Sequence, residues 1–145
     1  MDGDAGEILT LQRAAYLVEA QAYGDPFIPP LVESLDEVRE QIRTVTVLVA
    51  TVGHRLVAAV RLEVSGSTGW IGRLAVVPDL QGHGLGARML LAAEQAAPVE
   101  VTRFELFTGA ASARNLALYT RRGYVEYDRR RLNDAVELAY LQRSR

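Results

Sequence analysis

Three glycines fall close together in Gln81-Gly82-His83-Gly84-Leu85-Gly86, just after an apolar run ending at Val77 and just before an amphipathic stretch. Residues without side chains ahead of a helix start leave backbone N–H groups free to converge on an anion, usually a phosphate. A plain glycine-rich turn capping a helix has the same composition. Gly82, Gly84 and Ala87 also satisfy the dinucleotide fingerprint G-x-G-x-x-G/A, and Glu105 lies about 20 residues further on. Against that reading, Pro78-Asp79-Leu80-Gln81 separate the strand from the first glycine. The preceding strands are also joined as hairpins, and too little chain follows for the remaining crossovers of a doubly wound sheet. Downstream, Asn115 and Tyr119 are spaced i, i+4 and share one helix face. The chain has no cysteine, which removes a thiol nucleophile and thiolate metal sites. All 16 basic residues are arginine, so neither a Schiff-base lysine nor a Gly-Lys-Ser/Thr phosphate loop is available. Two separated histidines, His54 and His83, make a poor zinc site.

The elements that must position these residues read as one α/β domain over residues 1–145, with no linker or repeat. Asp4 with Glu7 has the form of a capping box, and Ile8, Leu11, Ala15, Val18 and Ala22 then mark one face of a first helix. "YGDPFIPPL" breaks it, and Ser34 with Glu37 caps a second helix carrying Leu35, Val38 and Ile42. Runs rich in Val and Ile over 45–51, 56–64 and 70–77, separated by "GHR" and "SGSTG", predict three antiparallel strands. Leu85, Met89, Ala92 and Ala96 line a third helix stopped by Pro98. "VEVTRFELFTG" is a strand, Ser112 to Arg122 a fourth helix ended by Gly123, and "YVEYD" with "AVELAYL" a last strand pair. The order is α-α-β-β-β-α-β-α-β-β, a mixed, mostly antiparallel sheet flanked by helices.

With the elements in place, "RLAVVPDLQGHGLGARML" resembles the acyl-CoA signature of the GNAT superfamily of N-acyltransferases, Gln/Arg-x-x-Gly-x-Gly/Ala after a strand. "SARNLALYTRRGY", residues 112–124, is similar to the superfamily's second motif, in which a helical Leu-Tyr precedes Gly-Phe/Tyr. Both motifs fall on the expected junctions, and the element order follows the GNAT fold over nearly the whole chain. The first strand, which normally precedes helix one, is missing or the chain starts late. The resemblance implies acetyl-CoA as cofactor, its pyrophosphate held by Gln81, Gly82, His83, Gly84, Leu85, Gly86 and Ala87 and by the positive end of the third helix. The pantetheine arm would pair with main-chain groups of Leu74, Ala75 and Val76, where the strand splays from its parallel neighbour. Tyr119 would be the acid that protonates the leaving thiolate, and Asn115 or Ser112 a further cofactor contact. Relatives often carry a carboxylate base two residues before Leu74, where this chain has Gly72 beside Arg73. Glu105 is the first substitute, followed by Glu63 and Glu19. His83 is expected to point outward, and the Arg129–Arg131 run is a solvated turn or a partner for the adenosine phosphate.

The function implied is transfer of an acetyl group from acetyl-CoA to a primary amine by direct attack in a ternary complex. The acceptor, a small molecule or peptide amine, would enter beside "YGDPFIPPL". The alternative is an acyl-CoA-binding sensor without turnover, for which the glycine at position 72 speaks. A net charge of −2 provides no basic field for nucleic acid or an anionic membrane. The acidic N-terminus is unlike a signal peptide, so a cytoplasmic location is expected. A sheet edge left open by the missing strand is consistent with a homodimer.

Overall fold

The structure, a computed structural model, describes residues 2–145. A 3-10 turn over Asp2–Asp4 leads into α1 (Ala5–Tyr23), followed by α2 (Pro29–Val32), α3 (Leu35–Thr44), β1 (Thr46–Val52), β2 (Arg55–Ser65) and β3 (Thr68–Val76). A second 3-10 turn, Pro78–Leu80, precedes α4 (Leu85–Ala96), β4 (Arg103–Gly109), α5 (Ala113–Arg121), β5 (Val125–Arg131) and β6 (Glu137–Ser144). The six strands form one sheet in the order β1-β2-β3-β4-β6-β5, antiparallel throughout except for the β3–β4 pair. This is the mixed α/β fold expected from the residues. Among the described residues no strand precedes α1, and β1 is an edge strand.

The sheet alternates its side chains between two cores. Ala58, Val60, Leu62, Ile71, Phe104 and Leu106 meet α4 and α5 on one face. Val57, Ala59, Ala75 and Val77 meet α1 and α3 on the other. Ser34 accepts from the Glu37 N–H at 3.1 Å and Glu37 returns a bond to the Ser34 N–H at 3.0 Å, so the second capping box is formed. The first is not. Asp4 has φ −87° and ψ −8°, inside the 3-10 turn, and an N-cap side chain needs an extended backbone to reach back. Residues 29–32, expected as part of a break, form a short helix with proline in its first turn, where the missing N–H costs no bond. The inner face of α1 also differs from the expected apolar stripe. Val18 is 67% exposed, while Gln12 and Ala20 are buried and Tyr16 and Glu19 are partly so. Tyr16 and Glu19 take inner positions where α1 borders cavities, and buried Gln12 is held by Pro30 O, Glu33 and Arg61.

What positions the site is a split in the sheet. β3 and β4 pair only at Thr68–Arg103, Gly69–Phe104 and Trp70–Glu105. Beyond that point β3 follows β2 as far as Val76, and β4 follows β6 as far as Gly109. At the closed end a side chain on Gly69 would come within 2.9 Å of the Phe104 ring, so only glycine lets the strands meet there.

Candidate active site

The split exposes one edge of β3. The Val77 N–H donates to Val57 O at 2.9 Å, so the peptide groups of alternate residues, Leu74 and Val76, point into the gap. There Leu74 O accepts from the Tyr16 hydroxyl at 3.0 Å and Val76 O from Gln81 Nε2 at 3.1 Å. The glycine turn closes the wide end. Gly82 and Gly84 have φ of 83° and 81°, which aims successive N–H groups inward and which side-chain-bearing residues adopt only with strain. Gly84 caps α4 without any side-chain acceptor. Among the described residues, the N–H groups of residues 82–87 donate to no protein atom. A cleft of about 580 Å³ opens beside them, lined on its other wall by Arg114 and Arg121 of α5 and by Arg122, which caps it. Arg114 Nη1 donates to Gln81 Oε1 at 2.8 Å. A helix start with unused donors, bare glycine backbone and three guanidinium groups fits the pyrophosphate and ribose phosphate of coenzyme A. Leu74, Ala75, Val76, Gln81, Gly82, Gly84, Leu85, Gly86, Ala87 and Asn115 all line this cleft. His83 does not; it is exposed, with Nδ1 3.1 Å from Gln81 O. Arg129 and Arg130 are engaged with Glu126, Glu137 and Asp128, and none of Arg129–Arg131 reaches the cleft.

A second cleft, about 600 Å³, lies on the α1 face between Tyr16, Tyr23, Pro30, Trp70, Phe107 and Tyr140. The two clefts share Tyr16, Glu19, Leu74 and Asn115. α1 and α5 pack on opposite faces of the sheet, yet they touch through the split. Asn115 Nδ2 donates to Glu19 Oε1 at 2.9 Å and to Thr108 Oγ1 at 3.2 Å. Burial raises the Glu19 pKa above the ordinary carboxylate value, against the opposing hydrogen bonds of Asn115 and Ser112. Tyr119, expected among the cofactor contacts, lines the second cleft and not the glycine-lined one; it is buried there, and its hydroxyl bonds to no described residue. Burial pushes this phenol up, and Tyr16 and Glu19 add to the effect.

Of the three candidate bases, the structure brings Glu19 to the junction. Glu63 lines the outer part of the second cleft and is exposed. Glu105 lines neither cleft; it is buried, and its Oε2 accepts from Arg103 Nη2 at 3.0 Å. Sequence reasoning passed over Tyr16, Arg73 and the α5 arginines. The i, i+3 spacing of Tyr16 and Glu19 was a usable signal, since it places a phenol and a carboxylate one turn apart on one helix face.

A cradle for phosphate opening onto a junction with a second cleft is what a transferase needs when its group donor is a nucleotide thioester. The profile of the acetyltransferase (GNAT) family matches residues 13–124, and the chain belongs to that family of acyl-CoA-dependent N-acetyltransferases. No curated protein matches the chain in sequence. Among solved structures, it is similar to the ribosomal-protein-alanine N-acetyltransferase from Brucella melitensis, with 16% identity, a TM-score of 0.78 and coverage of 99% of this chain and 96% of the other. The PaiA N-acetyltransferase from Thermoplasma acidophilum in complex with coenzyme A gives 14%, 0.75, 96% and 92%. A GNAT family acetyltransferase from Elizabethkingia anophelis with acetyl-CoA bound gives 17%, 0.66, 77% and 83%.

Proposed function

We propose that this chain transfers an acetyl group from acetyl-CoA to a primary amine, with the amine in the α1-face cleft and the cofactor in the glycine-lined one. The meeting of both clefts at Tyr16, Glu19, Leu74 and Asn115 carries this reading. Acetyl-CoA supplies an acetyl group activated as a thioester. The chain supplies position and protons. Leu74 and Val76 present main-chain groups to an extended ligand along the β3 edge, and the N–H groups of residues 82–87 hold its phosphates. Glu19, kept partly desolvated, takes the proton that an ammonium must lose before its nitrogen attacks. The Tyr119 hydroxyl donates toward the departing sulfur. Without cysteine the acyl group has no thiol on which to rest, so direct attack is the route.

Glu19 is our candidate for the carboxylate that position 72 lacks, and it weighs against reading the chain as a binder without turnover. Solved relatives named for a ribosomal-protein alanine and for PaiA activity share the fold at under 20% identity and leave the acceptor open. The test is release of free thiol from acetyl-CoA across a panel of amines, with calorimetry of acetyl-CoA binding alongside. Binding with turnover of at least one amine supports the proposal, and binding with none across the panel refutes it. The unpaired side of β1 is the surface we assign to a homodimer. Light scattering at micromolar concentration checks it, and a monomer mass would count against it.

A further inference from the structure

The β2–β3 ladder contains a register shift. Arg61 pairs with Gly72 and Ala59 with Ala75, so two steps on β2 face three on β3. The extra residue is Arg73, with φ 49°, the one described residue other than glycine with positive φ. The bulge turns its side chain onto the α1-face cleft beside Gly72. Arg73 Nε is buried, forms no hydrogen bond among the described residues, and lies 3.7 Å from Glu33 Oε1. Glu33 is already committed. It takes Arg61 Nη1 at 3.0 Å and Nη2 at 2.7 Å, and Gln12 Nε2 at 2.9 Å. Within this trio one carboxylate faces two guanidinium groups, and Arg73, its side chain 23% exposed, lines the cleft without donating a hydrogen bond to any described residue. Nε itself is shut off from the cleft, so an anionic partner would meet the exposed part of the Arg73 guanidinium. Glu19 and Tyr16 line the same cleft as Arg73. The Tyr16 phenol feels both charges, and its hydroxyl is bonded to the carbonyl of the residue after Arg73.

We propose that the acceptor is an amine carrying a carboxylate close to its nitrogen, a free amino acid, with the carboxylate received by Arg73 and the ammonium directed to Glu19. A peptide N-terminus presents a neutral carbonyl where this site offers a charge, and a simple amine presents nothing. The proposal rests on the transfer reading above, and its test separates the two.

Trp70 is the chain's one tryptophan and lines the cleft, so its fluorescence reports binding without turnover. The probes are N-acetyl amino acids and their amides, titrated into the protein with coenzyme A present. At least one carboxylate should bind about 10- to 100-fold tighter than its amide, the range for a charge-assisted hydrogen bond. Arg73→Met should erase that difference and Arg73→Lys should keep part of it. Gly72→Glu, whose added Cβ meets nothing within 4 Å, should also erase it by pairing with Arg73, and serves if Arg73→Met fails to fold. The proposal falls if no acid binds better than its amide, or if the preference survives in Arg73→Met or Gly72→Glu. Thiol release with free amino acids, amides and decarboxylated amines completes the test. Carboxylate preference without any turnover keeps the subsite and defeats the transfer reading. Equal turnover of acids and amides keeps the transfer reading and defeats the subsite.

Discussion

Glu33→Gln is the sharpest probe of the charges beneath the acceptor cleft. Both Glu33 and Arg61 side chains are only 10% exposed, so the pair is screened by protein rather than by water. Burial by itself would raise the Glu33 pKa, but hydrogen bonds from Arg61 and Gln12 and the charges of Arg61 and Arg73 outweigh it and hold the carboxyl below its ordinary value. Removing one side of a buried pair costs about 3–5 kcal/mol, because the remaining charge is left without a partner. Glutamine keeps one oxygen for Arg61, which places the expected loss near the lower limit, about 3 kcal/mol. At roughly 2–4 °C per kcal/mol this lowers Tm by about 6–12 °C.

The pH dependence has a definite sign. A depressed folded-state pKa gives stability that is complete above the unfolded value of about 4.3 and is lost as pH falls through the folded one. The gap between parent and Glu33→Gln should therefore be constant from pH 7 to about 5 and narrow below about 4.3. Urea denaturation at a series of pH values measures it. A loss under about 1 kcal/mol at pH 7, or a gap that does not narrow in acid, would refute the account of Glu33 as the counter-ion of two arginines.

Glu19→Gln should lower kcat by about 10²- to 10⁴-fold and abolish the acidic limb of the pH–rate profile. In the parent that limb should lie above the ordinary carboxylate range, since burial raises this pKa; a limb that persists in the variant assigns it to another group. Tyr119→Phe should retain acetyl-CoA affinity and lose about 10²-fold in kcat, because a phenol this reluctant to ionise acts by donating a hydrogen bond. An unchanged kcat would make it a packing residue. Gly84→Val forces a branched side chain to φ 81° and should weaken both stability and acetyl-CoA binding, whereas a Cβ on Gly86 makes an ordinary 3.5 Å contact with Leu118 and leaves Gly86→Ala folded. Arg114→Gln should weaken acetyl-CoA binding and flatten its salt dependence without altering the affinity of an acceptor analogue, and equal salt dependence in parent and variant would exclude a phosphate contact.

Helices and strands were legible because most of their faces are simple. The apolar run of β2 and the Ser34–Glu37 box are local signals, and both survive in the fold. The glycine turn was legible for the same reason, since the demand for positive φ is met by two glycines only two positions apart, Gly82 and Gly84. The base was not. Choosing among Glu19, Glu63 and Glu105 requires knowing where β3 and β4 part, and that depends on pairings between residues more than thirty positions apart. Before the split Glu105 sits in the closed part of the sheet beside Arg103; past it, α1 and α5 reach each other and Glu19 meets Asn115.

Arg73 was hidden by a different kind of rule. Strict alternation from Ile71, which faces the α4 core, would send residue 73 to that same core and residue 72 to the cleft. One inserted residue turns both toward the cleft, and Ala75 then enters the α1 core instead of the α4 core. The bulge leaves no mark in composition or periodicity. It changes the chemistry of the acceptor cleft more than any neighbouring substitution, because an arginine that alternation assigns to the core becomes a charge with one unused N–H beside Glu33. The absence of an acid at position 72 gains meaning from the same shift. On the reading we propose, a glutamate there would neutralise Arg73, so a glycine at 72 and Glu19 as the base would together leave the cleft with one pole for an ammonium and one for a carboxylate.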